Sequence, residues 1–303
     1  MIFMKRFTII LIALFMSALL FSCNVTEDNN KKIIVAVGVV PQATFVDIVS
    51  MGNVETIVLI PPGYSPANYQ PSSREMQVLS DADIYFTLQM PTEEANILPK
   101  IQNFNKDIKI VNLREIVSEV YPLIYVDGHD HEEEHKDNED DLSVDPHLWL
   151  SPKRSIVMVQ AIADELSKFD PVNELTYQEN AADYIKQIQT LDNEITIIIA
   201  NLNRKSFMIY HGSYAYFADD YGLEMISIEV AGKQATAAEI EEVIKHALEE
   251  EIKIIFYQEE FDDNQAQTIA KEIGGKVEKV SPLSENYLQA LRDLIYELEN
   301  QED

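Results

Sequence analysis

The amino-acid sequence predicts an α/β protein of two lobes, each built on a mainly parallel sheet and joined by one long rigid helix. Three observations carry this. Continuous Val/Ile-rich runs such as IIVAVGVV (33–40) and VETIVLI (54–60) alternate with helical patterns, as strands buried on both faces do. The same alternation returns later, with SFMIYH (206–211) and IKIIFYQ (252–258). Between the two halves, residues 174–203 contain no Gly or Pro and carry apolar side chains at helical spacing. Such a helix runs about 43 Å, too long for one compact layer.

The elements follow in order. After the first strand run, Phe45, Ile48 and Val49 mark a helix, and VETIVLI marks the next strand. A loop (61–72) leads to a helix through Arg74, Met76, Val78 and Leu79. DIYFT (83–87) and IKIVNL (108–113) complete the first set of strands. Ser151-Pro152 opens a helix with Ile156, Val157, Val159, Ile162 and Leu166, and FDPVN (169–173) ends it before the long rod. The second half offers strands at 206–211, 224–230, 252–258 and 276–280, with helices at 214–221, 237–250, 263–273 and 285–299. The expected organisation is an N-terminal lobe 33–172, a linking helix 173–204 and a C-terminal lobe 205–303.

The start of the chain reads as a targeting segment. Lys5 and Arg6 precede an apolar stretch from Phe7 to Phe21, within the range of a secretory signal and short for a membrane span. It ends in Leu20-Phe21-Ser22-Cys23, which resembles a lipobox, so residues 1–22 are expected to be removed and Cys23 to carry lipid. Residues 23–32 then tether the domain to a membrane. Cys23 is the single cysteine, so an internal disulfide is excluded. The net charge is −29 over 303 residues. That surface repels phosphate backbones, which excludes nucleic acid as a partner, and attracts cations.

Two groups of histidines bear on chemistry. Residues 128–141, GHDHEEEHKDNEDD, contain the letters H-E-x-x-H at His131 to His135, a zinc-hydrolase signature. A working H-E-x-x-H needs a helix bolted to a core, and this segment has eight acids and no apolar side chain, so a hydrolase is the weaker alternative. His129, His131 and His135 remain a cluster of metal-competent side chains. The other group is His147, in DPHLWLSP, and His211, where a strand ends and a helix begins. Asp145 is placed to orient the turn that carries His147. In open α/β sheets, strand-end residues face the ligand crevice. One such histidine in each half points to a site between the lobes. His246, in a charged helix, reads as surface.

Taken together, these blocks resemble the substrate-binding lipoproteins of zinc and manganese ABC transporters, the cluster A-I solute-binding proteins. The resemblance spans nearly the whole chain. It rests on Asp145–Pro152, on His211 with Tyr216-Phe217-Ala218 and Tyr221-Gly222-Leu223, and on GKQATAAEI (232–240), IIFYQEEFD (254–262) and VSPLSENYL (280–288). It implies His147 and His211 as metal ligands. In two places the chain departs from the family: Ala67 stands where a first ligand histidine is expected, and Ser281 where some members carry an aspartate. Two imidazoles leave a zinc ion short of about four donors. Candidates to complete the set are Asn68, Gln258, Glu259, Glu260, water, or a histidine from 128–141. Imidazole donors favour Zn²⁺, with Mn²⁺, Ni²⁺ and Co²⁺ as alternatives. The resemblance further implies a monomeric, lipid-anchored protein on the outer face of the cell membrane that delivers the ion to a permease. A surface adhesion or metal-sensing lipoprotein on the same scaffold is the alternative from another class.

Overall fold

The structure, a computed structural model, describes residues 32–127, 142–229 and 233–302. The expected leader, Cys23, the tether up to residue 31, and His129, His131 and His135 lie outside the described residues. The first sheet holds β1 (Ile33–Val37), β2 (Val54–Val58), β3 (Ile84–Thr87) and β4 (Lys109–Asn112), in the order β2-β1-β3-β4 and parallel throughout. The second holds β7 (Ser206–Ile209), β8 (Glu224–Ser227), β9 (Ile254–Gln258) and β10 (Lys276–Val280), in the order β10-β9-β7-β8, also parallel.

Both sheets are covered on both faces, and that explains their unbroken apolar runs. Successive strand side chains point to opposite faces. Val35, Val37, Ile84 and Phe86 enter one buried cluster, while Ala36 and Tyr85 enter another on the far face. In the second sheet Phe207, Ile209, Ile254 and Phe256 join that same first cluster, and Met208 and Ile255 face away. One core is therefore shared by the inner faces of both sheets.

Around the first sheet lie α1 (Val40–Ser50), α2 (Ser73–Gln77), α3 (Leu98–Phe104) and α4 (Leu113–Ser118). Gln42 caps the start of α1 from within: its Oε1 accepts from the N–H groups of Gly38 (3.0 Å) and Val39 (3.1 Å). A Cβ at Gly38 would stand 2.3 Å from Met90 Cε and 2.7 Å from Glu93 Oε1, so a larger residue there would force these side chains to shift. Around the second sheet lie α7 (Ala215–Tyr221), α8 (Ala237–Glu249), α9 (Asn264–Glu272) and α10 (Tyr287–Glu299). Between them run α5 (Pro152–Phe169), capped by the Ser151 hydroxyl, and the 28-residue α6 (Glu174–Asn201). The buried side of α6 is a seam of Tyr177, Ala181, Tyr184, Ile188, Leu191, Ile195 and Ile199, spaced three or four apart as a helix requires. Its neighbours are α1, α5 and α10, so it touches elements of both halves.

Several elements, α3 among them, lie beyond what the sequence patterns suggest. A π-helical turn, Glu93–Ile97, runs into α3; α4 follows β4 directly; and β5 (Tyr125–Asp127) pairs antiparallel with β6 (Leu142–Val144). Among the described residues no helix is long and apolar enough to cross a membrane.

Candidate metal centre

His211 sits just past the carboxyl end of β7, and its backbone is held from β9. Gln258 Oε1 accepts from the His211 N–H (3.3 Å), and its Nε2 donates to the His211 carbonyl (2.7 Å) and to Ser213 Oγ (2.9 Å). The Phe261 ring stacks on the imidazole at 4.8 Å between centroids. Glu229, just past β8, places Oε2 2.7 Å from His211 Nδ1. His147 lies in a turn built by Asp145, whose Oδ1 accepts from the His147 backbone N–H (2.8 Å) and lies 3.0 Å from Nδ1. The turn is pinned from the second half. Tyr216 donates to the Asp145 carbonyl (2.9 Å), and the Trp149 indole N–H donates to the Pro282 carbonyl (2.8 Å).

A carboxylate only accepts, so each Nδ1 carries a proton and each Nε2 of a neutral ring presents a bare lone pair. The two Nε2 atoms stand 3.4 Å apart. That separation suits a positive centre, a metal ion or a proton, lying between the two nitrogens. Zn–N bonds of about 2.0–2.1 Å at a tetrahedral angle put two ligating nitrogens roughly 3.3–3.4 Å apart. The flanking carboxylates of Asp145 and Glu229 supply two negative charges to offset a divalent cation.

The imidazoles line two cavities. One is about 20 Å³ and is also walled by Ser65, Pro66, Glu260 and Phe261. It has room for an ion or a water. The other, about 460 Å³, includes Ala67, Pro91, Tyr125, Leu142 and Glu229 in its wall, so the β5–β6 ribbon forms one side of it.

The remaining sequence candidates separate. Asn68 is exposed and lies outside the walls of both cavities. Gln258 lines the small cavity, but its amide is occupied by His211 and Ser213. Glu259 is exposed and paired with Lys279. Glu260 faces the small cavity, and its Oε2 is buried without a hydrogen-bond partner. Burial pushes the Glu260 carboxyl up, the Glu259 charge adds to this, and Lys279 and His211 oppose it. Ala67 does line the larger cavity beside the histidines, whereas Ser281 lines neither. Among the described residues no group of three or more His, Cys, Asp or Glu side chains is already arranged to hold an ion. His246 is partly exposed, 4.0 Å from Glu224. Sequence reasoning missed Glu229. The signal lay in register: Ser227 pairs with Ile209 across β8 and β7, so two residues further on Glu229 falls beside His211.

Two parallel sheets bridged by a long helix, with a histidine pair where they meet, give the architecture of a solute-binding protein. The chain belongs to the ZnuA family, "zinc-uptake complex component A periplasmic", whose model matches residues 35–301. It is 32% identical over 240 residues to the zinc-binding protein AdcA of Streptococcus pyogenes serotype M3, covering 75% of this chain and 45% of that one. It is 28% identical over 286 residues to the zinc-binding lipoprotein AdcA of Streptococcus pneumoniae, covering 92% and 56%. The chain thus spans about half the length of these relatives. A crystal structure of ZnuA superposes with a TM-score of 0.81 at 29% identity, covering 90% of this chain and 100% of the other.

Proposed function

We propose that this chain captures Zn²⁺ on the outer side of the cell membrane and passes it to an ABC permease, with His147 and His211 as ligands. The observation that carries the reading is the convergence of two Nε2 atoms to 3.4 Å while both Nδ1 atoms are held by carboxylates. The small cavity favours a bare ion, and nitrogen donors favour Zn²⁺ over harder cations, with Mn²⁺, Ni²⁺ and Co²⁺ as alternatives. The names of the AdcA relatives support zinc as the cargo, and the lipoprotein among them supports lipid on Cys23. In this reading residues 1–22 are a leader, 23–32 a tether, and 33–172 and 205–303 two lobes on the helix 173–204. The protein acts as a monomer, by binding rather than by catalysis.

Calorimetry with Zn²⁺ tests the reading. The purified protein is expected to show one tight equivalent, which His147→Ala and His211→Ala each abolish. Tight binding retained in both variants would place the site elsewhere.

A further inference from the structure

We propose that Glu260 is the third protein ligand, drawn onto the ion by a rotation of its side chain. The inference rests on the reading of the histidine pair as the metal site and adds the donor that Ala67 withholds. Glu260 lies in the turn that closes β9, where the Phe261 N–H bonds the Gln258 carbonyl at 3.1 Å. That turn sets Phe261 against the His211 ring and Glu260 in the wall of the ion-sized cavity, together with both imidazoles.

Two further observations single this residue out. Its Oε2 is buried and unpartnered, a costly condition for a carboxylate and one that a cation would relieve. The other candidates are spent or misplaced: the Gln258 amide is engaged at both ends, Glu259 is exposed and paired with Lys279, and Asn68 lies outside the cavity walls. A carboxylate joined to two imidazoles gives a mixed nitrogen–oxygen set with one position left for water or an exchanging ligand, as suits a protein that must also release its ion. Glu260 shares the wall of a cavity of about 20 Å³ with both rings, so a side-chain rotation is the movement the proposal requires.

The experiment uses Glu260→Gln, Glu260→His and, as a control, Glu259→Gln, each compared with His211→Ala. Zinc affinity is read by competition with a chromophoric chelator. The visible spectrum of the Co²⁺ complex reports the donor set. Loss of groups that merely orient ligands costs about 10–100-fold, so removing a direct donor is expected to cost about 100-fold or more. Glu260→Gln should weaken Zn²⁺ by that amount and shift the Co²⁺ bands. Glu260→His should recover affinity by supplying an imidazole, which a purely structural role would not allow, and Glu259→Gln should change neither readout. Wild-type affinity and an unchanged Co²⁺ spectrum in Glu260→Gln, with binding still lost in His211→Ala, would overturn the Glu260 assignment alone. Failure of Glu260→His to exceed Glu260→Gln would also count against it. Binding retained in His211→Ala would overturn the site itself.

Discussion

Asp145 and Glu229 each hold one ring nitrogen of a histidine, and this decides which nitrogen is left for a ligand. Either carboxylate, made an amide, can turn its NH₂ toward Nδ1. The ring then takes the other tautomer and points N–H into the gap. Asp145→Asn and Glu229→Gln are therefore each expected to weaken Zn²⁺ by about 10–100-fold while the fold persists, measured by chelator competition and circular dichroism. Of this arrangement, Asp145 was legible because it lies two residues from His147 in a turn-forming sequence. Glu229 was not, because 18 residues separate it from His211 and only sheet register brings them together. Glu260 was one acid among several until burial distinguished it.

The wall of the site depends on a loop that follows β3. Glu93 is fully buried; its carboxyl accepts from Tyr85 (2.6 Å) and from the N–H groups of Leu88 (3.0 Å) and Met90 (2.8 Å). The next turn of chain grips the loop that contains Ala67: the Thr92 N–H donates to the Pro66 carbonyl, and the Thr92 hydroxyl and Asn96 amide to the Tyr69 carbonyl. Burial raises the Glu93 carboxyl above its ordinary value, against the pull of its donors. A carboxyl raised on folding contributes stability that is complete below its unfolded pKa and is lost as pH rises through the folded value. Wild type should therefore lose stability relative to Glu93→Gln from acid toward neutral pH, in paired denaturant titrations. Glu93→Ala, which strands three donors, should cost about 3 kcal/mol or more at either pH. The strands were legible because apolar runs of that length fit a doubly covered sheet. The Glu93–Phe104 segment was not, because an acid on the buried side breaks the pattern that announces a helix. The β5–β6 ribbon escaped as well, since its three-residue strands carry no period and pair across a long intervening segment.

The whole molecule is tied across its middle. Arg154 of α5 is buried, and its guanidinium reaches Asp220 of α7 at 2.8 Å and the Pro122 carbonyl at 3.1 Å, with the Tyr216 ring beneath it. Ser151 also bonds Asp220, and Lys153 bonds its carbonyl at 2.8 Å. Removing the acid leaves a buried cation uncompensated, so Asp220→Ala is expected to cost about 3–5 kcal/mol in denaturant unfolding. Replacing the pair together, Arg154→Met with Asp220→Leu, should cost much less. At this scale the sequence foretold the long helix but not the sharing of one core by both sheets, because contacts such as the Tyr287 hydroxyl on Ser155, 3.0 Å apart, join residues 132 positions distant. The seam of α6 gives that sharing a mechanical meaning. A spine packed against helices of both halves resists the wide swing of a jaw. On the proposed reading, an ion would leave by loosening the short turns at the rim, and a receiving permease would press on those turns.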